Sequence, residues 1–186
     1  MIKVAVIGLG NMGQHHAKAY AKIKEAHFVA ACDPNRDRFE AVQKEPDTQY
    51  FKDVDSMLGA CSIDAVSICV PTFMHFDIAK KCMEQGIAVL VEKPIATSVE
   101  EANKLVAVAE DNNVLLTVGH IERFNPAILK AKELINEGKL GAIHTIQCKR
   151  YGPFPKQIKD ADVLVDVAVH DIDIVQFLVT AKLIES

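Results

Sequence analysis

The sequence predicts an α/β fold built on a doubly wound parallel sheet, and three observations carry that prediction. Over some 120 residues, short apolar runs alternate about six times with helical patterns. The first run breaks into glycines spaced G-x-G-x-x-G, with a helical pattern directly behind them. Polar and special residues gather where the runs end, which is where open α/β sheets bind ligands.

Ile2, Val4, Ala5, Val6 and Ile7 form the opening run. Its length and β-branched content read as a strand buried on both faces. Gly8, Gly10 and Gly13 follow, and each has a task in a Rossmann-type dinucleotide site: the tight turn, the close approach of backbone to pyrophosphate, and close packing of helix on strand. With Asn11 and Met12, they supply the amide groups that open the next helix and face the phosphates, where the helix dipole favours negative charge. Glycine turns are common, so the spacing gains weight from the strand before it, the helix after it and an acid downstream. That acid is Asp33, twenty residues beyond Gly13, closing the second run at 27–32. It would accept hydrogen bonds from the adenosine ribose and repel a 2′-phosphate, which favours NAD. Asp33-Pro34-Asn35 also reads as a turn with local hydrogen bonds. Arg36 and Arg38 lie close enough to accommodate a 2′-phosphate, so NADP stays open.

Residues 36–44 read as a helix that Pro46 ends. Tyr50 and Phe51 indicate a short third strand, and 54–58 a short helix. The run 65–70 is the next strand, closed by Pro71 and Thr72. Phe73, Phe76, Ala79, Cys82 and Met83 then fall at helical spacing, and Gly86 stops them as a C-cap would. Residues 87–91 form a strand, and Ser98 with Glu101 has the form of a capping box. That box opens a helix with Val99, Ala102, Leu105, Val106 and Ala109 on one face. The sixth strand, 114–118, ends at Gly119.

Beyond it the rhythm changes. A helix carries Ile128, Ala131, Leu134 and Ile135 up to Gly138, and 142–150 looks like a strand. Residues 151–155 form a loop, and a last helix runs from about 163 to 179. The boundary falls near 120, giving domains at 1–119 and 120–186. One strand cannot bury its own face, so the second part reads as cut short.

At 186 residues the chain is one domain, or one plus part of another, and can bury roughly 70% of its unfolded surface. A net charge of −4 with no basic stripe argues against nucleic acid as a partner. The apolar runs are too short to span a membrane, and the opening strand leaves no room for a signal peptide. Five scattered cysteines without a C-x-x-C pair point to a reduced, cytoplasmic setting. Cys32, Cys69 and Cys148, in strand-like runs, read as small buried hydrophobes.

Five strand ends collect the residues that could do chemistry: the glycine loop, Asp33, Pro71-Thr72 with His75, Glu92-Lys93-Pro94, and Gly119-His120. Together they imply a crevice of strand tips. Taken singly, Lys93 reads as a solvated loop lysine, His75 as a histidine facing solvent on a helix, and His120 as a satisfied histidine at a turn. Pro94 restricts Lys93 to an extended conformation, which fixes the direction of the lysine. Asp166 and His170 stand at i and i+4 on the last helix, with Asp173 and Phe177 along the same face. In so apolar a segment they are costly to bury unless paired or used. A structural ion pair is the plain alternative. Metal ranks last, since no H-E-x-x-H, C-x-x-C or matching ligand cluster exists.

The ordered set Gly8-Leu9-Gly10-Asn11-Met12-Gly13, Pro71-Thr72 with His75, Glu92-Lys93-Pro94, Gly119-His120, and Asp166 with His170, Asp171 and Asp173 resembles the Gfo/Idh/MocA oxidoreductases. The resemblance spans nearly the whole chain, and the stretch 119–126 further resembles the branch acting on nucleotide-linked sugars, such as UDP-N-acetylhexosamine 3-dehydrogenases. It implies a Rossmann domain followed by the truncated start of an α+β substrate and oligomerisation domain, with a homo-oligomer in the full-length form. The implied activity is NAD(P)-dependent oxidation of a secondary alcohol on a sugar, polyol or nucleotide-linked sugar. Lys93, Asp166 and His170 are the implied catalytic group, and which of Lys93 and His170 acts as base stays open. Gly8, Gly10, Asn11, Met12, Gly13, Asp33, Arg38, Pro71, Thr72, His75, Glu92 and Lys93 are the expected cofactor contacts, and no metal is expected. A rival expectation is a non-catalytic dinucleotide-binding module, which would need the glycine loop but not Lys93, Asp166 and His170.

Overall fold

Six parallel strands form one sheet in the computed structural model of the chain: β1 (Ile2–Ile7), β2 (Ala26–Cys32), β3 (Gln49–Phe51), β4 (Ala65–Ile68), β5 (Ala88–Val91) and β6 (Leu116–Val118). Their order is β3-β2-β1-β4-β5-β6, so the winding reverses between β1 and β4. A crevice for ligand opens at such a reversal, beyond the carboxyl ends of the two strands. The structure describes residues 1–42, 47–150 and 167–179, and the chain divides into two units, Met1–Gly119 and His120–Ser186.

Both faces of the sheet are covered, as the continuous apolar runs require. α1 (Asn11–Tyr20) and α2 (Arg36–Glu40) lie on one face, where Leu9, Ala17 and Phe39 pack with Val4, Val6, Phe28 and Ala31. α3 (Val54–Ala60), α4 (His75–Met83) and α5 (Val99–Asp111) lie on the other. There Met57, Cys82, Met83 and Leu105 pack with Ala5, Ile7, Ile68 and Val91. Alternation along β1 sends Val4 and Val6 one way and Ala5 and Ile7 the other. β2 breaks this parity: Val4 pairs with Phe28 but Ala5 with Ala30, leaving Val29 as an extra residue. The bulge keeps Phe28 and Ala31 on one face while Ala30 and Cys32 face the other.

Side-chain caps start three of these helices. Asn35 accepts from the Asp37 N–H, Asp53 from the Ser56 N–H, and Ser98 from the Glu101 N–H. Each such cap contributes about 1 kcal/mol. The capping box at Ser98 closes differently from expectation, because the Glu101 carboxylate reaches the N–H and hydroxyl of Thr97 at 3.1 and 2.6 Å. The expected apolar face of α5 is also displaced. Leu105 and Ala109 are buried with Val108 beside them, whereas Val99 and Val106 are exposed. The packed stripe is therefore the i, i+3, i+4 set from 105, and the earlier valines miss it. α2 ends at Glu40 rather than running to 44, and Pro46, expected to end it, lies outside the described residues.

The second unit holds a 3₁₀ turn at Ile121–Phe124, α6 (Pro126–Asn136) and α7 (Val169–Val179). Asn125 caps α6 by accepting the Ala127 N–H at 3.0 Å, and Pro126 opens it where a missing N–H costs nothing. The expected strand at 142–150 is not formed: this stretch is irregular, with no ladder partner among the described residues. A strand is stable only beside a neighbour that takes up its backbone groups. Cys148 within it is exposed, not buried as expected. The loop 151–155 and Asp166 lie outside the described residues, as does the expected start of the last helix.

Candidate functional site

The first strand ends in a loop that only glycine can make. Gly8 has φ of +85°, and a Cβ there would stand 2.7 Å from the Cys69 carbonyl oxygen at the tip of β4. A Cβ on Gly13 would overlap the Gly8 carbonyl, so α1 packs directly on the turn. Gly10 differs, since a Cβ there would meet nothing within 4 Å. The outer side of the loop is open space. Gly10 is also the N-cap of α1, and no side chain caps it. The first-turn amides, which include Asn11 and Met12, therefore lack a side-chain acceptor at an open helix start. This arrangement fits the pyrophosphate of a dinucleotide.

Asp33 follows β2, only 2% exposed. Its Oδ2 accepts the Leu9 N–H at 2.7 Å, tying β2 to the glycine loop, and its Oδ1 accepts the Asn35 N–H at 2.8 Å. The Asn35 bond is the local one the turn reading expected, and the Leu9 bond adds a tie to the glycine loop. Arg38 donates to Asp33 Oδ2 at 3.4 Å, and Arg36 stacks 5.4 Å from the centre of the Tyr50 ring.

Across the reversal, Pro71 and Thr72 lead through a 3₁₀ turn into α4. His75 does not face solvent as its plain reading had it: it is 1% exposed. Its ring spans two carbonyl oxygens, 2.9 Å from that of Val70 and 2.9 Å from that of Pro94. It thereby pins the β4 tip to the corner after β5, where Lys93 stands before a cis bond to Pro94. At β6, a Cβ on Gly119 would lie 3.1 Å from the Glu92 carboxylate, so Gly119 leaves that carboxylate its room.

Sequence reasoning missed the residues beneath this corner. His16 Nε2 lies 2.9 Å from Glu92 Oε1, His16 Nδ1 lies 3.0 Å from Ser67 Oγ, and Tyr20 Oη lies 2.6 Å from the same hydroxyl. Burial alone pushes the Glu92 carboxyl up. The hydrogen bond and charge of His16, the Lys93 amide and the Lys93 charge outweigh it, and the net shift is downward. Burial raises the Tyr20 phenol, partly offset by its bond to Ser67. The usable signal was Ser67, a polar residue inside an apolar strand, which must find partners to be buried.

In the second unit, His170 is half-buried near the start of α7. Asp173, one turn on and 6% exposed, receives Arg123 Nε at 2.9 Å and Nη2 at 2.6 Å. This fork is the strong form of the pair, and the Asp173 hydrogen bond holds the Arg123 guanidinium above its usual range. His120 Nδ1 stands 3.7 Å from the same carboxylate. Phe177 lies under Arg123 and Lys132, 5.7 and 5.5 Å from the ring centre. Burial pushes the Cys32 and Cys82 thiols up to about 12, so neither is a nucleophile near neutral pH. Among the described residues no cluster of three His, Cys, Asp or Glu could hold a metal, and no helix is long and apolar enough to cross a membrane.

Comparison with known proteins agrees with this geometry. The family model for Gfo/Idh/MocA oxidoreductases with an NAD-binding Rossmann fold matches residues 2–120, and that for the family's C-terminal domain matches 128–185. A UDP-N-acetylglucosamine 3-dehydrogenase of Acidithiobacillus ferrooxidans is 34% identical over 181 residues, covering 97% of this chain and 55% of the relative. A scyllo-inositol 2-dehydrogenase (NAD(+)) of Bacillus subtilis is 33% identical, covering 98% and 55%. The crystal structure of scyllo-inositol dehydrogenase from Lactobacillus casei with bound NAD(H) and scyllo-inositol superposes with a TM-score of 0.84 at 28% identity, covering 96% and 56%. The chain thus spans about half the length of the curated relatives it matches.

Proposed function

The chain belongs to the Gfo/Idh/MocA oxidoreductase family, and on that premise we propose that it serves an NAD-dependent dehydrogenase. The substrate is a secondary alcohol of a sugar, polyol or nucleotide-linked sugar. The observation that carries this reading is the open, uncapped helix start at Gly10, set beside β4 and β5 tips that hold the Lys93 corner. Residues 1–119 serve as the cofactor domain, and 120–186 as part of a substrate domain that also makes the homo-oligomer contact.

NAD, when bound, supplies the two-electron acceptor for the carbon that bears the alcohol. The chain's own residues do the rest. Gly8, Gly10 and Gly13 bring backbone amides of Asn11 and Met12 to the phosphates, and Asp33 takes the adenosine ribose. Its negative charge disfavours a 2′-phosphate, and the tie from Arg38 to Asp33 is consistent with NAD over NADP. Pro71, Thr72 and His75 shape the nicotinamide end from β4, and Glu92 and Lys93 shape it from β5. The Lys93 ammonium stabilises negative charge developing on the alcohol oxygen, an effect largest where water is excluded. His170 takes the hydroxyl proton, the general-base role an imidazole most often fills. Asp166 supports that imidazole or binds a neighbouring hydroxyl of the substrate.

The test is turnover with NAD against inositols, free sugars and UDP-N-acetylhexosamines, read as nicotinamide absorbance. Lys93→Ala is expected to lower kcat by about 10²- to 10⁴-fold with little change in NADH affinity. Wild-type turnover in that variant would contradict the assignment. NADH binding without turnover on any alcohol would instead favour a non-catalytic dinucleotide-binding module.

A further inference from the structure

A buried line of four side chains runs under the first unit's site, and the proposed chemistry gives a task only to its last member, Glu92. It passes from Tyr20 to Ser67, to His16 and to Glu92, at separations of 2.6, 3.0 and 2.9 Å. Ser67 is fully buried and Glu92 is 6% exposed. An ionised carboxylate only accepts, so His16 Nε2 carries the proton that faces Glu92. In the neutral ring Nδ1 then accepts from the Ser67 hydroxyl, which accepts from Tyr20 in turn. In the protonated ring Nδ1 donates to Ser67 instead, and the Ser67 hydroxyl turns its own proton to Tyr20. The line stays satisfied in either state.

Its far end is the Lys93 corner. Glu92 Oε2 accepts the Lys93 backbone N–H at 3.2 Å while Oε1 faces His16, so the carboxylate is held from both sides. The charged and titratable groups around Glu92 are His16 on α1, Lys93 beside it and Cys69 at the β4 tip. Just past β6, Gly119 borders the carboxylate with no side chain to compete. His16 itself lies on α1, the helix whose first turn forms the phosphate loop, so it joins the two ends of the cofactor site.

We infer that His16 is a positioning residue for Lys93, acting through Glu92. The inference rests on the role proposed above for Lys93. Without His16, Glu92 keeps its burial and loses the partner that holds Oε1, so it keeps its proton to higher pH and is free to turn, and its grip on the Lys93 amide loosens.

The experiment uses His16→Ala and His16→Gln in the full-length protein. Glutamate carboxyl resonances are followed against pH and assigned with Glu92→Gln. His16→Ala is expected to move the Glu92 titration up by about 1–2 units and to speed exchange of the Lys93 amide. The acid limb of the kcat profile moves up with it, and kcat falls about 10- to 100-fold while KM for NAD stays within about threefold. His16→Gln, which can still donate to Glu92 without charge, keeps most of the wild-type kcat at neutral pH. A Glu92 titration and Lys93 exchange rate left unmoved by His16→Ala would overturn the inference, whatever the turnover. A wild-type protein inactive on every alcohol would overturn the dehydrogenase reading instead, and the two resonance measurements would still decide whether His16 positions Lys93.

Discussion

The two units of the chain are held together by different means. In the first, strands and helices bury a continuous apolar interior on both faces of the sheet, and polar groups enter it only as partnered side chains such as Ser67, His75 and Glu92. Among the described residues of the second, Ile174 and Leu178 are the buried apolar side chains, and α6 buries none of its residues. Its helices meet instead through the Arg123–Asp173 fork, cations over Phe177, and a bond from Lys132 to the Leu178 carbonyl at 2.9 Å. Burial is non-directional and accumulates with area, whereas a half-exposed ion pair contributes little. The first unit therefore has what it needs to hold a site rigidly. The second, over its described residues, does not.

The largest effect should come from an added atom that the glycine loop cannot accommodate. Gly13→Ala places a methyl on the Gly8 carbonyl, which as backbone cannot swing aside as a side chain would. NADH affinity should fall by at least about 100-fold, since a displacement near 1 Å can cost that much. Calorimetry on the variant checks it.

Next comes the apolar interior. Leu105, fully buried on α5, should cost about 2–5 kcal/mol on truncation to alanine, read as a lower denaturation midpoint. Its counterpart in the second unit is Arg123→Ala. Removing a wholly buried partner would cost 3–5 kcal/mol, but Arg123 is 44% exposed and His120 stands nearby. A loss of about 1–2 kcal/mol is expected after discounting for solvent. It should appear as faster amide exchange in α7 with the first unit's exchange unchanged, and a global loss equal to that of Leu105→Ala would break the contrast.

The smallest effect concerns acid. Glu92 has its folded pKa held below its unfolded one, so its stabilisation is complete above the unfolded value, near 4.3. It is lost as pH falls through the lower folded value. The first unit's melting temperature should drop across that window, and Glu92→Gln should flatten the drop.

How much of this could be read in advance follows the range of the interactions involved. The glycine loop, Asp33 and the six-strand rhythm were legible because each is written in adjacent residues or in a fixed spacing. The displaced stripe on α5 and the bulge at Val29 were not, since both depend on which neighbour the element meets. His16, Ser67, Tyr20 and Glu92 lie up to 76 positions apart, and only the folded sheet brings them together. The expected strand at 142–150 failed for the same reason, because a strand is a property of a pair.

The most direct test of the account is to map which backbone amides shift as NADH is added to the chain. Changes should concentrate at 8–13, around Asp33, at Thr72 and at 92–93, saturating as one site. No change, or change centred instead on the shallow groove lined by Val106, Glu110, Asn113 and Leu115, would contradict it.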